Sequence, residues 1–215
     1  MLFKEKTLLV NDLNEIDKKI YELGQKALKE NKRKFKHKLA QKIAVFYLTY
    51  LFGLRISEAL KVNIYRDLTQ KRYKDKVYYT LKAVNLKHKD NKYKYKVVLF
   101  YPSNEYEGKM FDYVLKNFDA SGITRLDIAE FCNYYIKDLI IGYDKTGNEI
   151  KVFTHLNIHS LRHIRAYVLL NRYGDKDLIL NNFGWKTEDM LYYYSNIAKS
   201  IKELEIEKRF LQMIK

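Results

Sequence analysis

His159 and Arg162 stand three residues apart in Ile158-His159-Ser160-Leu161-Arg162-His163-Ile164-Arg165-Ala166-Tyr167, a stretch that reads as the opening of a buried helix. Residues at i and i+3 share a helix face, so the imidazole and the guanidinium project together. A guanidinium offers a rigid fork of donors, and an imidazole donates a hydrogen bond or moves a proton near neutral pH. The pair suits a dianionic phosphate. The same pair also occurs on ordinary helix surfaces, so its meaning depends on what else the chain carries.

A second candidate is Gly53-Leu54-Arg55-Ile56-Ser57-Glu58. Leu39 to Phe52 is strongly apolar and reads as a core helix, which Gly53 can end in the left-handed conformation. Arg55 then falls at a tight turn between two core helices. A buried arginine is costly unless paired. It is either a structural ion pair with Glu58 or an anion-binding arginine with that carboxylate behind it.

The third candidate is a basic hairpin. Val77 to Leu86 alternates and is rich in Val, Tyr and Thr, Lys94 to Phe100 reads as its partner, and Lys89-Asp90-Asn91-Lys92 makes the turn. Lys87, His88, Lys89, Lys92, Lys94 and Lys96 are interleaved with Tyr93 and Tyr95. Without an acidic partner these groups repel one another. They are expected to face DNA, with Lys87, Lys92 and Lys94 as contacts.

These residues need elements to hold them. Asn11 or Asp12 can cap a first helix carrying Ile16, Ile20, Leu23 and Leu28. A basic run follows, from Lys29 to Lys38, and suggests a boundary near residue 35. The expected organisation is an N-terminal basic helical arm over 1–35 and one domain over 36–215. Glu105 to Lys116 is helical in pattern. Thr124-Arg125-Leu126-Asp127 resembles a capping box opening a helix through Ile140, and Tyr143 to Asn148 is a polar turn. The helix that carries Arg162 runs to Tyr173 and closes at Gly174. Asp175 opens another, ending at Phe183-Gly184 with Trp185 beyond. Thr187 can cap a helix from Glu188 to Tyr194, and Ile197 to Ile214 is amphipathic. The fold class is mainly α with a small antiparallel β-sheet, α+β.

Composition sets limits. The 215 residues are 47% hydrophobic and 31% charged, which is globular and not disordered. A net charge of +15 points to a polyanionic partner. Nucleic acid is favoured over a membrane surface, because the basic residues do not gather on one amphipathic helix. A single cysteine, Cys132, excludes a disulfide framework or a multi-cysteine metal site within the chain. Met1 to Val10 has no long apolar run, so neither signal peptide nor membrane span is expected there, and the expected place is the cytoplasm, with DNA.

Taken together, the landmarks resemble the tyrosine recombinase, or phage integrase, family. Gly53-Leu54-Arg55-Ile56-Ser57-Glu58 matches its first arginine box almost letter for letter. His159-Ser160-Leu161-Arg162-His163 matches its His-x-x-Arg box. Gly184-Trp185 followed by Tyr194 has the spacing of its Gly-His/Trp position and nucleophile. The basic hairpin lies where the family places a catalytic lysine. The resemblance covers about residue 40 to residue 196. It implies the DNA breaking-rejoining fold of the catalytic domain, with Arg55, Lys89, His159, Arg162, Trp185 and Tyr194 as catalytic residues and Glu58 in support. The two arginines would clamp the scissile phosphate, Lys89 would protonate the leaving 5′ oxygen, His159 would assist proton transfer, Trp185 would pack and donate through its indole, and Tyr194 would attack. Lys87 is the alternative to Lys89, and Tyr193 to Tyr194.

The implied reaction is site-specific recombination or integration of double-stranded DNA, with no metal and no cofactor. The implied assembly is a homotetramer on DNA and a monomer or weak oligomer without it. Residues 197–215 would exchange between protomers or cap their own core. On this resemblance the family's usual N-terminal clamp is expected to be missing or reduced to one basic helix, or to lie in a longer parent chain. Relaxation of DNA by a type IB topoisomerase-like enzyme, or non-catalytic DNA binding, are the alternatives.

Overall fold

The computed structural model describes residues 13–30, 36–86, 94–135, 140–143, 149–151 and 160–185. Helix α2 (Lys36–Leu51) is the element the others surround. Its residues Ile43 to Leu48 are all fully buried. A helix that is apolar all round must be covered on every side. The cover comes from α1 (Leu13–Glu30), α5 (Glu105–Asn117), α6 (Arg125–Tyr135), α7 (Ser160–Tyr173) and the single turn α3 (Ile56–Ala59). A second turn, α4 (Ile64–Asp67), leads into the sheet.

The sheet has the order β1-β2-β3 and is antiparallel throughout, with β1 at Leu68–Tyr73, β2 at Lys76–Val84 and β3 at Tyr95–Phe100. β2 and β3 are the expected hairpin strands. Their shared inner face carries Leu81 opposite Val98 and Ala83 opposite Lys96. Phe100 packs 5.0 Å from Phe52 and 5.1 Å from Phe111, which seats the sheet on the helices. β1 was not expected from the sequence. Thr69-Gln70-Lys71-Arg72-Tyr73 is exposed along its length and shows no apolar alternation, and its charges suit an edge that must not pair with another chain.

The helix expected to reach Ile140 is described over Arg125–Tyr135, and Ile140 lies instead in a short strand, β4 (Ile140–Tyr143), paired with β5 (Glu149–Lys151). Ile140, Ile141 and Tyr143 favour extended backbone. The capping box at the start of α6 is present. Thr124 Oγ1 accepts from the Asp127 amide at 3.1 Å, and Asp127 Oδ2 accepts from the Thr124 amide at 2.9 Å.

Helix α8 (Lys176–Phe183) begins where the Asp175 carboxylate accepts from the Leu178 amide at 3.0 Å. It lies along the free edge of β3. Asn182 accepts from the Leu99 amide at 2.9 Å and donates to the Leu99 carbonyl at 3.0 Å, and Asn181 donates to the Val97 carbonyl at 3.0 Å. Two asparagine side chains thus serve as the next strand and satisfy an exposed edge.

Arg165, to which the sequence assigns no role, closes a buried network that ties α1 to the body. Its guanidinium pairs with Glu107 of α5. Arg172 also reaches Glu107, at 2.8 Å, and Asp17 of α1 at 3.0 Å. Asp17 further accepts from the Tyr50 hydroxyl at 2.6 Å and the Asn104 amide at 2.7 Å. Ile16, Ile20 and Ala27 of α1 join the same core as α2. Among the described residues, no helix is long and apolar enough to cross a membrane, and no group of three or more His, Cys, Asp or Glu is placed to hold a metal.

Burial raises the Glu107 carboxyl, but Arg165 and Arg172 outweigh it and the net shift is below its ordinary 4.5. Its stabilisation is therefore complete above pH 4.5 and is lost as pH falls through the lower folded value. Glu107→Ala, which among the described residues leaves Asp17 as the one carboxylate beside the two buried guanidiniums, is expected to cost about 3 kcal/mol in urea denaturation at neutral pH. That deficit should shrink as the pH is lowered below 4.5.

Candidate active site

Arg55 sits just before α3, and Glu58 is the third residue of that turn. The Arg55 amide donates to Glu58 Oε2 at 3.0 Å, and the Arg55 guanidinium pairs with Glu58 Oε1. Glu58 is fully buried. Arg162, in the first turn of α7, brings Nη1 to 3.7 Å from Glu58 Oε2. Two parts of the sequence far apart in the chain thus converge on one carboxylate. Arg55 is in an ion pair with Glu58, and that pair belongs to a larger cluster.

Arg162 is held mainly by main chain. Its guanidinium donates to the carbonyls of Gly53 and Phe183, at the ends of α2 and α8. Carbonyls at helix C-termini carry partial negative charge, so they fix the group without neutralising it. The Phe183 ring centre lies 4.6 Å from the Arg162 guanidinium carbon and that of Trp185 5.7 Å. Trp185 packs on Phe183 at 4.8 Å.

Glycine makes this approach possible at two turns. Gly53 has φ +58°, and a Cβ there would lie 2.6 Å from the Phe183 ring. Gly184 has φ +59°, and a Cβ there would lie 3.0 Å from Asn85 Nδ2 and 3.4 Å from Lys96 Cδ. Both conformations favour glycine; a side chain at Gly53 would collide with the Phe183 ring, and one at Gly184 would crowd Asn85 and Lys96.

Lys96 is the member of the cluster that sequence reasoning misplaced. The hairpin pattern groups it with cations expected to face DNA; instead it is buried, with Nζ 3.0 Å from Glu58 Oε2. The missed signal is alternation. Lys96, Val98 and Phe100 share the inner face of β3, while Tyr95, Val97 and Leu99 are outside. Burial and the nearby Arg162 push the Lys96 ammonium down to about 8 against the pull of Glu58. Burial raises the Glu58 carboxyl, but Lys96, the Arg55 amide and the two guanidiniums outweigh it and hold it below its ordinary value.

Lys94 stays exposed, with Nζ 5.9 Å from the Tyr95 ring, and Lys82 lies over the other strand's Tyr95 at 4.7 Å. Lys87, Lys89, Lys92, His159 and Tyr194 lie outside the described residues. The described part of the site is therefore Arg55, Glu58, Lys96, Arg162 and Trp185. Among the described residues three cations meet at one carboxylate, and guanidinium and ammonium groups gathered in a water-poor setting can receive an anion.

Gly53→Ala should test how the arginine is held. Left-handed strain and the clash with Phe183 together should cost about 1–3 kcal/mol in thermal or urea melts. A stability equal to wild type would show that this turn does not constrain Phe183.

No protein-family model matches the chain, and no curated protein matches its sequence. Solved structures do. One is the XerH site-specific recombinase bound to palindromic difH substrate in a post-cleavage complex, with a TM-score of 0.57 and 19% identity over 97% of this chain and 54% of that one. Another is XerH bound to difH in a pre-cleavage complex, with a TM-score of 0.52 and 18% identity over 89% of this chain and 51% of that one. This chain spans about half the length of those chains. The mainly helical body with its small antiparallel sheet has the fold of the tyrosine recombinase catalytic domain.

Proposed function

We propose that the chain cleaves and rejoins double-stranded DNA through a 3′-phosphotyrosyl intermediate, as a site-specific recombinase or integrase. The observation that carries this reading is the convergence of Arg55 and Arg162 on the buried Glu58. Support comes from the recombinase fold and from a net charge of +15.

In this reading the two guanidiniums bind the non-bridging oxygens of the scissile phosphate. They stabilise the charge that builds as the phosphorus becomes pentacoordinate. Tyr194 supplies the nucleophile. Its phenolic oxygen forms a bond to phosphorus as the bond to the 5′ oxygen breaks. The phenolic proton leaves, with His159 assisting, and the departing 5′ oxygen takes a proton from Lys89, or from Lys87 in its place. The new phosphodiester stores the bond, so a 5′ hydroxyl reverses the step. Attack by the original strand reseals it, and attack by a partner strand recombines it. Trp185 packs against the Arg162 guanidinium and cannot relay a proton, which leaves proton transfer to His159 and the hairpin lysine. Lys87, Lys92 and Lys94 contact the DNA backbone, and a homotetramer on two DNA sites is the working unit, with residues 197–215 as the segment available for exchange.

A nicked suicide duplex tests the chemistry. Wild-type protein should form a covalent adduct that resists denaturation, and Tyr194→Phe should form none. An adduct that persists in that variant moves the nucleophile to Tyr193; no adduct with wild-type protein on any cognate duplex sinks the reading. His159→Ala should slow cleavage or rejoining by about 100-fold while leaving duplex affinity near wild type. A loss confined to affinity would remove His159 from proton transfer.

A further inference from the structure

The sheet has a second face, turned away from Glu58. Residues directly opposed in an antiparallel pair share a face. Thr80 opposes Leu99, Lys82 opposes Val97 and Val84 opposes Tyr95, so these side chains stand together. Through Thr80, Tyr78 and Lys76 the same face continues across β1 to Thr69, Lys71 and Tyr73. Lys96, Val98 and Phe100 project the other way and are buried. Tyr95, Val97 and Leu99, with Tyr101 just beyond the strand, are 40% to 50% exposed, and Tyr73 is 67% exposed. The outer face of an antiparallel sheet is ordinarily polar, so a row of apolar side chains facing water marks a binding surface.

The charged side chains on this face are Lys71, Lys76 and Lys82, and no carboxylate is among the residues that form it. The ammonium groups lie against the rings. Lys82 Nζ is 4.7 Å from the Tyr95 ring centre, Lys94 Nζ is 5.9 Å from it, and Lys76 Nζ is 5.6 Å from the Tyr101 ring centre. Asp67, before β1, is engaged by Arg66 at 2.7 and 2.8 Å. At its Tyr101 end the face adjoins a cavity of about 240 Å³ lined by Tyr78, Leu99, Tyr101, Leu169, Tyr173 and Leu178. An apolar cavity of about 150 Å³ holds a benzene ring, so this one has room for a single heterocyclic base.

We propose that this face binds single-stranded DNA, at a site separate from the one that holds the scissile phosphate. Rings and aliphatic side chains gain little from an intact duplex, whose base faces are stacked inside it. An unpaired strand offers base faces to the rings and phosphates to the lysines, which is how a sheet platform holds unpaired bases. From Tyr95 to Tyr101 the strand covers about 20 Å, room for the two or three bases such a platform stacks. The cavity admits a base only when that base has left its pair. The choice of DNA rests on the strand-cleaving reading, in which a broken strand must stay near the protein until its 5′ hydroxyl is rejoined.

The experiment measures fluorescence anisotropy of the full chain with a labelled oligothymidylate of about twelve nucleotides, and with a blunt duplex of the same length. Tyr95→Ala and Tyr101→Ala should each weaken single-strand binding by about tenfold and change duplex Kd by less than about twofold. Tyr95→Phe and Tyr101→Phe keep the rings and should bind as wild type. Lys82→Gln should reduce the slope of log affinity against log salt by about 0.7. Equal losses for single strand and duplex, wild-type binding in both alanine variants, or phenylalanine variants as weak as the alanine ones each overturns the proposal. Sedimentation with phosphatidylserine vesicles that is lost in Tyr95→Ala overturns it in favour of a lipid surface. Tighter binding of oligouridylate than of oligothymidylate overturns the choice of DNA.

A second measurement uses the wild-type chain. A single strand substituted with iodouracil is crosslinked by ultraviolet light, and the attached peptides are mapped by mass spectrometry. Crosslinks should fall on Tyr73, Tyr95 or Tyr101; crosslinks confined to other parts of the chain overturn the proposal. The two readings fail separately. Single-strand binding that depends on Tyr95, with no covalent adduct on any cognate duplex, supports the platform and sinks strand cleavage. Covalent adducts on duplex with no single-strand binding sink the platform alone.

Discussion

The fold depends on what surrounds one fully buried carboxylate, Glu58. A carboxylate removed from water must be matched by donors and cations, and here the match draws on three separated pieces of chain. Arg55 comes from the turn after α2, Lys96 from β3 and Arg162 from α7. Meeting at one point constrains the path of every segment between them. The sheet must fold back over the end of α2, and α7 must begin beside the turn that α2 ends on. Gly53 and Gly184 permit those turns by accepting a left-handed backbone where a side chain would collide.

A second buried network shows what the first is not. Asp17 and Glu107 face Arg165 and Arg172, so two carboxylates meet two guanidiniums. Opposite charges are equal in number there, and the network links α1, α5 and α7 in a structural role. Arg162 and Arg165 are three residues apart on the same helix, yet the environments differ. Arg165 meets Glu107 directly, whereas Arg162 donates to two carbonyl groups and lies 3.7 Å from Glu58. Structural ion pairs balance their charge, and an excess of like charge is costly unless a ligand relieves it. The contrast sets the network that links the helices beside the cluster that the proposed function reads as an anion site.

The same contrast explains what was legible in the sequence. Arg55, Glu58 and Arg162 lie in short segments whose neighbours are apolar, and buried charge in such a setting points to pairing or function from sequence alone. Lys96 was overlooked because five other basic or titratable residues surround it in sequence, and a lysine in such company reads as surface. Its alternation with Val98 and Phe100 was visible but outweighed. Arg165 could not be assigned because its partners, Asp17 and Glu107, are distant in the chain, and nothing local marks them. β1 escaped because an exposed edge strand needs no apolar pattern. The helices α2, α5, α7 and α8 were readable because burial imposes periodicity and glycine or a capping side chain marks their ends.

Position in this site is shared between the sheet and the last described helix. Asn181 and Asn182 bind α8 to the main chain of β3 at Val97 and Leu99. The strand that carries Lys96 and the helix whose final carbonyl holds Arg162 are therefore tied side by side. A shift of β3 that carried Lys96 away from Glu58 would pull on α8 as well, and with it on the carbonyl of Phe183. Phe183 in turn packs against the turn at Gly53, which supplies the other carbonyl to Arg162. Lys96 and Arg162, which both face Glu58 Oε2, are thus located by one connected set of hydrogen bonds and ring contacts. Their distances from Glu58 are set by main-chain packing more than by the flexibility of long side chains.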